Sequence, residues 1–467
     1  SFARKVAEVL SANGVHTYLF EELRPTPELS FAVRELSCDF GIVLTASHNP
    51  KEYNGYKVYW NDGGQLVPPH DKGVIEQVRA TRFEDIRWDA NEALIETVGT
   101  AIDDKYTDMV AGLSLSNAGK TELDIVFTAL HGTSIVSVPP ALAKAGFTNV
   151  QLVEAQSAPD GNFPTVASPN PEESAALAMA VAQAEATGAD LVIGCDPDTD
   201  RVGIAVNDGT GKMQLLNGND TAALLVHYIL NAYKENGTLP ANGFTAATVV
   251  TTDLIADISA VYGVPCYRCL TGFKWIADII KNKPEEQFLV GGEESYGYLI
   301  GDAVRDKDAV ASAVMIAEMA ANAKAQGRTV LQQLEAIHRE FGQYQERLIS
   351  ITKKGRSGAQ EIADMMTALR NDPPKTLAGS PVVIAIDHNN STQTDLRTGA
   401  TSSTALPASN VLQFITEAGD KVSARPSGTE PKIKFYFSVR ATTGDRHAAT
   451  KSELERKIDT FIEELNL

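Results

Sequence analysis

The sequence predicts an α/β protein: three similar α/β domains with mixed sheets, followed by a C-terminal α+β domain. Three observations carry this. Short apolar runs alternate with segments of helical spacing over roughly the first 335 residues. In each of the first three units a polar loop follows an apolar strand. Past about residue 340, strands and helices follow one another without strict alternation. The expected domains are 1–100, 101–207, 208–335 and 336–467. A chain of 467 residues is too long for one core.

In the first domain, Phe2-Ala3-x-x-Val6-Ala7-x-x-Leu10 has helical spacing, and Asn13-Gly14 ends it. A strand is expected over 15–20 and a helix over 27–36. Thr26 is the expected N-cap, and Pro27 suits the first helical position because its missing N–H has no partner there anyway. Strands follow at 41–44 and 56–60, with the polar loop Thr45-Ala46-Ser47-His48-Asn49-Pro50 between them. The second domain gives a strand at 123–128 and a helix at 139–145 ended by Gly146. A strand at 150–153 and a helix at 172–187 ended by Gly188 come next, then strands at 191–193 and 202–206. The third gives helices at 221–233, 276–280 and 308–325, and strands at 246–251 and 288–290. The last gives strands at 344–351, 382–387, 410–414 and 433–439 and a helix over about 446–465.

Net charge is −19, from 41 Lys and Arg against 60 Asp and Glu. That argues against nucleic acid or an anionic membrane surface as the main partner, while a local basic cluster still allows an anionic substrate. Four cysteines are too few for a disulfide framework, and Cys266-x-x-Cys269 reads as two semi-buried thiols. No signal peptide or apolar run near 18 residues stands out, so a cytoplasmic home is expected. The chain opens on Ser1 in a helical pattern, and an N-terminal piece upstream is expected.

Leu191-Val192-Ile193-Gly194-Cys195-Asp196-Pro197-Asp198-Thr199-Asp200-Arg201 carries the sharpest chemical signal. Alternate side chains of an extended loop point the same way, so the three carboxylates converge. Such a cluster calls for a hard cation such as Mg²⁺. The plain alternative is a solvated acidic turn shaped by Pro197. A second signal is Arg425-Pro426-Ser427-Gly428-Thr429-Glu430-Pro431. Arg offers a planar fork to phosphate oxygens, the hydroxyls add donors, and Gly428 lets backbone N–H groups approach. Its alternative is a capped turn ahead of a strand. Ser47 reads as a nucleophile, a phosphorylation site or a turn residue. Gly292-Glu293-Glu294-Ser295 offers acceptors to hydroxyl groups, and Thr271-Gly272-Phe273-Lys274 an ammonium and a ring.

Taken together, these loops make the chain resemble the α-D-phosphohexomutase family, and within it a bacterial phosphoglucomutase-type member. The matches are TASHNP at 45–50, GCDPDTDR at 194–201, GGEES at 291–295 and RPSGTEP at 425–431, in the family's order. The resemblance implies four domains, with Ser47 carried as phosphoserine. It implies one Mg²⁺ per chain on Asp196, Asp198, Asp200 and the Ser47 phosphate, with Arg201 facing that phosphate. It implies sugar hydroxyls on Glu293 and Ser295, and Lys274 near the sugar or the distal phosphate. Arg425, Ser427, Gly428 and Thr429 grip the phosphate not in transit, and His48 and Lys57 are general acid/base candidates. The implied reaction interconverts hexose 1-phosphate and 6-phosphate, with glucose the best fit, through a sugar 1,6-bisphosphate that also serves as activator.

FKW after Gly272 and KIKFY after Pro431 look more like glucose- or pentose-type members than mannose-type ones. A phosphomannomutase or phosphopentomutase is the alternative within the family, and a Mg²⁺-dependent sugar phosphatase the alternative outside it. The expected partner is a small phosphosugar, with no nucleic acid and no membrane, and the expected assembly a monomer or weak dimer. The family's Gly-rich, Arg-containing opening and first strand have no match here. Gly297 stands where some bifunctional members carry a catalytic His.

Overall fold

Apolar runs become strands and amphipathic runs become helices in the computed structural model of the chain, which describes residues 1–353, 355–428, 431–441 and 447–467. The first elements are α1 (Phe2–Ala12), β1 (Thr17–Phe20), α2 (Thr26–Glu35), β2 (Phe40–Leu44), β3 (Tyr56–Trp60), α3 (His70–Ala80), β4 (Ile95–Val98) and α4 (Thr100–Ala111). β1 pairs parallel with β4, and β2 antiparallel with β3, as two separate sheets. An apolar cleft is lined by residues of both, among them Tyr18, Phe20, Phe40 and Ile42.

Next come β5 (Ile125–Thr128), α5 (Ser134–Lys144), β6 (Val150–Leu152), α6 (Ser174–Thr187), β7 (Leu191–Cys195), β8 (Val202–Asn207) and β9 (Met213–Leu216). Their sheet runs β6-β5-β7-β8-β9, with β5 parallel to β6 and β7, and β8 antiparallel to β7 and β9. β7 lies mid-sheet and is buried along its whole length, which is why it starts as a continuous apolar run and not an alternating one. Gly194 in this strand is a packing necessity: a Cβ there would stand 2.3 Å from Leu177 Cδ2.

The third stretch contains α7 (Gly218–Glu235), β10 (Gly243–Thr248), α8 (Leu254–Val261), β11 (Cys266–Cys269), α9 (Lys274–Asn282), β12 (Gln287–Gly292), β13 (Tyr298–Ile300), α10 (Ala309–Ala325) and α11 (Val330–Phe341). The sheet order is β11-β10-β12-β13, with β10 parallel and β13 antiparallel to β12. Asp308 caps α10 by accepting from Val310 N and Ala311 N. Nearly every residue of α10 is buried, so it shows no polar stripe.

The last elements are β14 (Gln343–Thr352), α12 (Gly355–Asn371), β15 (Thr376–Leu377), β16 (Ser380–Asp387), β17 (Thr392–Asp395), β18 (Thr401–Ser403), β19 (Leu412–Thr416), β20 (Lys421–Pro426), β21 (Lys432–Ala441) and α13 (His447–Glu464). They form an eight-stranded sheet in the order β14-β21-β20-β19-β16-β17-β18, with β15 on β16. Alternation in β21 sends Ile433, Phe435, Phe437 and Val439 to one face, where they pack with Met366 of α12 and Ile458 and Phe461 of α13. The α+β class expected here is the one formed.

The chain divides into two compact units. One comprises Ser1–Ala247, Ser259–Tyr267 and Gly272–Gln333; the other comprises Thr248–Ile258, Arg268–Thr271 and Leu334–Leu467. All four cysteines are free thiols, Cys269 buried and Cys266 half-buried. Among the described residues, no helix is long and apolar enough to cross a membrane.

Three expectations need correction. Thr26 is the first residue of α2 and not its cap; Pro25 takes the cap position without a side-chain bond. Thr26 instead turns its N–H to Asp198 O at 2.9 Å and its hydroxyl to Asp198 Oδ2 at 3.3 Å. α5 begins at Ser134, and Pro139 and Pro140 lie inside it. Thr133 donates its N–H to Pro197 O at 2.8 Å, so a tertiary contact starts the helix upstream of the prolines. β10 closes at Thr248 and does not reach residue 251, because Thr251 N bonds back to Thr248 O at 3.2 Å and their hydroxyls meet at 2.8 Å.

Candidate active site

The acidic loop leaves the end of β7 and returns as β8. Three backbone contacts set its shape from outside: Thr26 N on Asp198 O, Thr133 N on Pro197 O, and Ala309 N on Thr199 O at 3.2 Å. Thr199 is fully buried at a φ of 61°, a left-handed conformation that a β-branched residue adopts only when its surroundings impose it. Gly132 gives the close approach from the side of Thr133, since a Cβ there would lie 2.4 Å from Pro197 Cα.

The loop so held brings Asp196, Asp198 and Asp200 together. One carboxylate oxygen from each lies within 4.8 Å of the others, and all three residues are buried. Asp196 Oδ1 accepts from Asp200 N and Arg201 N, each at 3.0 Å. Asp198 Oδ2 accepts from Lys57 Nζ at 2.9 Å. Lys307 Nζ lies 3.0 Å from Asp200 Oδ2 and 3.1 Å from Asp306 Oδ1. Tyr59 Oη and Gln65 Nε2 donate to Asp306 at 2.7 and 2.8 Å. Asp198 Oδ1 and Asp200 Oδ1 are buried without any hydrogen-bond partner. Two orphaned carboxylate oxygens in one buried cluster fit a bound cation, because a buried acceptor left unpaired is costly. The donor set is all oxygen, as a hard divalent ion prefers.

The charges sort unevenly. Burial, and then the Asp198 and Asp200 carboxylates, push the Asp196 carboxyl well above the usual range. Burial acts the same way on Asp200, but Lys307, Lys57 and Arg201 outweigh it and hold that carboxyl below the usual range. Burial disfavours the Lys57 ammonium, yet Asp198 and Asp200 keep it protonated above its ordinary value.

Ser47 reaches this cluster from the loop after β2. Its Oγ donates to Asp196 Oδ2 at 2.8 Å and lies 3.1 Å from His48 Nδ1. Its φ is 54° and its N–H bonds Thr45 Oγ1 at 2.8 Å. Burial and then the Arg201 charge push His48 below the ordinary imidazole value. Lys57 comes from β3, whose pairing with β2 sets it opposite Val43. Arg201 points its Nη1 at Glu172 Oε1, 2.6 Å away.

The Gly292–Ser295 loop follows β12. Glu293 is buried, donates its N–H to Gly297 O at 2.9 Å and accepts from Gly272 N at 2.8 Å. Tyr296 O accepts from Val202 N at 3.0 Å, which ties this loop to the acidic one. Ser295 lies in the turn between Glu293 and Tyr296, half-buried. Lys274 opens α9, with Nζ 5.3 Å from the Trp275 ring centroid. At Gly297 a Cβ would fall 2.2 Å from Lys307 Cδ, so the lysine stem occupies the space of a side chain there.

Arg425 and Pro426 end β20 in the other compact unit, where Ser427 N bonds Lys432 O at 2.7 Å and a Cβ on Gly428 would meet open space. Thr429 and Glu430 lie outside the described residues. Sequence reasoning passed over Lys307, Asp306, Tyr59 and Glu172. The run Arg305-Asp306-Lys307-Asp308 ahead of an apolar helix is a signal that points to the first two; Tyr59 and Glu172 leave none.

Family models for phosphoglucomutase/phosphomannomutase α/β/α domains I, II and III match residues 1–85, 104–209 and 217–341. The chain is 37% identical over 444 residues to a phosphoglucomutase of Staphylococcus epidermidis, covering 94% of this chain and 80% of that protein. It is 38% identical to a phosphoglucomutase of Staphylococcus aureus, covering 99% and 82%. It is also 38% identical to a Haemophilus influenzae protein named a probable phosphomannomutase, covering 94% and 85%. Among solved structures, a phosphoglucomutase/phosphomannomutase family protein of Burkholderia thailandensis shares the fold at a TM-score of 0.67 and 19% identity, covering 98% of this chain and 84% of that one.

Proposed function

The chain belongs to the phosphoglucomutase/phosphomannomutase family of phosphohexose mutases, and from that premise we propose that it interconverts glucose 1-phosphate and glucose 6-phosphate through phosphorylated Ser47. One contact carries this: Ser47 Oγ stands 2.8 Å from Asp196 Oδ2, at the edge of a carboxylate cluster with two unpaired buried oxygens. A phosphoserine carries about −1.5 to −2 charge, which three carboxylates tolerate only beside cations. Asp196, Asp198 and Asp200 would hold one Mg²⁺ together with the Ser47 phosphate. When bound, that ion neutralises charge on the phosphoryl group.

In the first half-reaction the P–O bond to Ser47 Oγ breaks and a P–O bond to a sugar hydroxyl oxygen forms, giving the 1,6-bisphosphate. In the second, the P–O bond between the other phosphoryl group and its sugar oxygen breaks and a new P–O bond to Ser47 Oγ forms, leaving the isomeric monophosphate. Each transfer moves one hydroxyl proton. His48, 3.1 Å from Ser47 Oγ and shifted towards its neutral form, is the candidate base. Lys57, held protonated by two carboxylates, is the candidate acid and fixed charge. Arg201 faces the moving phosphoryl group, Glu293 and Ser295 take ring hydroxyls, and Lys274 serves the sugar or its far phosphate. Arg425, Ser427, Gly428 and Thr429 grip the phosphate not in transit. Glucose 1,6-bisphosphate acts as activator by restoring the phosphoserine. The enzyme works in the cytoplasm as a monomer or weak dimer.

The test is phosphorus NMR of the full-length protein with Mg²⁺ and glucose 1-phosphate, primed with a trace of the bisphosphate, beside Ser47→Ala. Conversion to the 6-phosphate without inorganic phosphate, reduced about a thousandfold or more in the variant, is the expected result. Release of inorganic phosphate with Ser47→Ala still active would mark a phosphatase instead.

A further inference from the structure

Arg201 makes one strong bond, and it is to Glu172. Nη1 meets Glu172 Oε1 at 2.6 Å, while Asp200 Oδ1 stands 3.7 Å from Nε, beyond hydrogen-bond reach. The Nε atom is buried and has no hydrogen-bond partner. The guanidinium is thus anchored through Nη1, while its Nε is left unpaired. A planar fork recognises phosphate well only when its orientation is fixed, and a long unbranched side chain fixes nothing by itself.

Glu172 is itself built in. Its N–H bonds Asn170 Oδ1 at 3.1 Å. The preceding Pro171 presses on β8 so closely that a Cβ on Gly203 would lie 2.4 Å from Pro171 O. Gly203 is two residues beyond Arg201, so the absence of a side chain there lets the Glu172 segment lie directly over the strand that carries the arginine.

We propose that Glu172 is the positioning residue of this site: seated on β8 through the Pro171–Gly203 contact, it holds the Arg201 guanidinium so that its free edge meets the phosphoryl group in transit. The assignment rests on the mutase reading above and adds to it the device that orients Arg201. In this role Glu172 acts through the arginine.

Steady-state kinetics of the full-length enzyme, with melting temperature in parallel, test it. Glu172→Ala is expected to lower kcat about tenfold or more with KM and melting temperature little changed, because an unheld arginine is less well oriented for the transition state. Glu172→Gln, which keeps an acceptor, recovers part of that loss. In an Arg201→Ala background, Glu172→Ala costs nothing further. Gly203→Ala reproduces the Glu172→Ala loss and adds little to it; should that variant not fold, the Glu172–Arg201 pair decides alone. Wild-type kcat in Glu172→Ala, or a loss that adds in full to that of Arg201→Ala, overturns the proposal. So does an Arg201→Ala enzyme with undiminished kcat, a result that leaves the mutase reading standing. The mutase reading itself fails if the wild-type enzyme does not convert the 1-phosphate to the 6-phosphate, or if Ser47→Ala still turns over.

Discussion

Asp198 is pulled two ways: its Oδ2 is taken by Lys57 and Thr26, and its Oδ1 has no partner. A divalent ion bound there would resolve this, and binding to the folded state alone would raise its stability. At Mg²⁺ a hundredfold above its dissociation constant the gain is about 2.7 kcal/mol, read as a rise in melting temperature over an EDTA control. Asp198→Asn keeps the shape and loses the charge, so most of the shift should vanish; an undiminished shift would take Asp198 out of the ligand set. A second residue-scale prediction concerns Glu28, fully buried on α2 with Oε2 on Ser137 at 3.1 Å. Burial first, then the Asp103 carboxylate, push its carboxyl up to about 9. Folded Glu28 therefore keeps a proton that the unfolded chain releases near pH 4.5. Its stabilisation is complete below that pH and is lost as pH rises towards about 9. Glu28→Gln should flatten urea stability across that window by up to about 1.4 kcal/mol per pH unit; an unchanged slope would mean Glu28 ionises freely. The carboxylate trio was legible because alternate positions in one loop need no tertiary knowledge. Lys307 on Asp200 and Glu172 on Arg201 were not, because folding alone makes residues so far apart in the chain neighbours.

Among the elements, the meeting of the loop after β5 with the acidic loop matters most. Gly132→Ala puts a methyl 2.4 Å from Pro197 Cα, and backbone cannot yield as a side-chain end does. The acidic loop must move, so the variant should lose both turnover and the Mg²⁺-induced rise in melting temperature while its far-UV circular dichroism stays native. A retained Mg²⁺ shift would show that the loop tolerates displacement. Several elements with a buried face were readable from the sequence: β7, α6, α10 and β21 stand within a few residues of expectation. α4 was passed over although Ile102, Tyr106 and Val110 give it a buried face, whereas others passed over lack the signal. α3 buries no residue at all, β13 spans three residues, and β17 reads Thr-Gln-Thr-Asp. The early start of α5 and the early end of β10 come from contacts made at their ends, which periodicity does not encode.

Across the whole molecule, two compact units with separate cores predict calorimetric unfolding that departs from a single two-state transition. Phe435 is fully buried in the core under α12 and α13. Phe435→Ala should cost about 3–5 kcal/mol and shift the transition of the unit that contains it, whereas Mg²⁺ should shift the other. Both perturbations moving one transition together would mean the units unfold as one. The order of motifs along the chain was legible at this scale, since each polar loop follows its strand. The interleaving of 248–258 and 268–271 with the C-terminal unit was not, because sequence order hides which core a short segment joins.

The acidic loop is gripped by its own carbonyls, those of Pro197, Asp198 and Thr199, and by backbone N–H groups that reach them from α2, from Thr133 just ahead of α5 and from α10. Most of its shape is therefore written in main chain, and the Asp196 carboxylate adds two bonds, from Asp200 N and Arg201 N. A protein engineer can vary Asp198 and Asp200 one at a time, to Asn, Glu or His, and keep that frame, whereas Asp196 belongs to the frame itself. Any ion the loop takes would then be tuned by two fittings set in a mount that changes little with them.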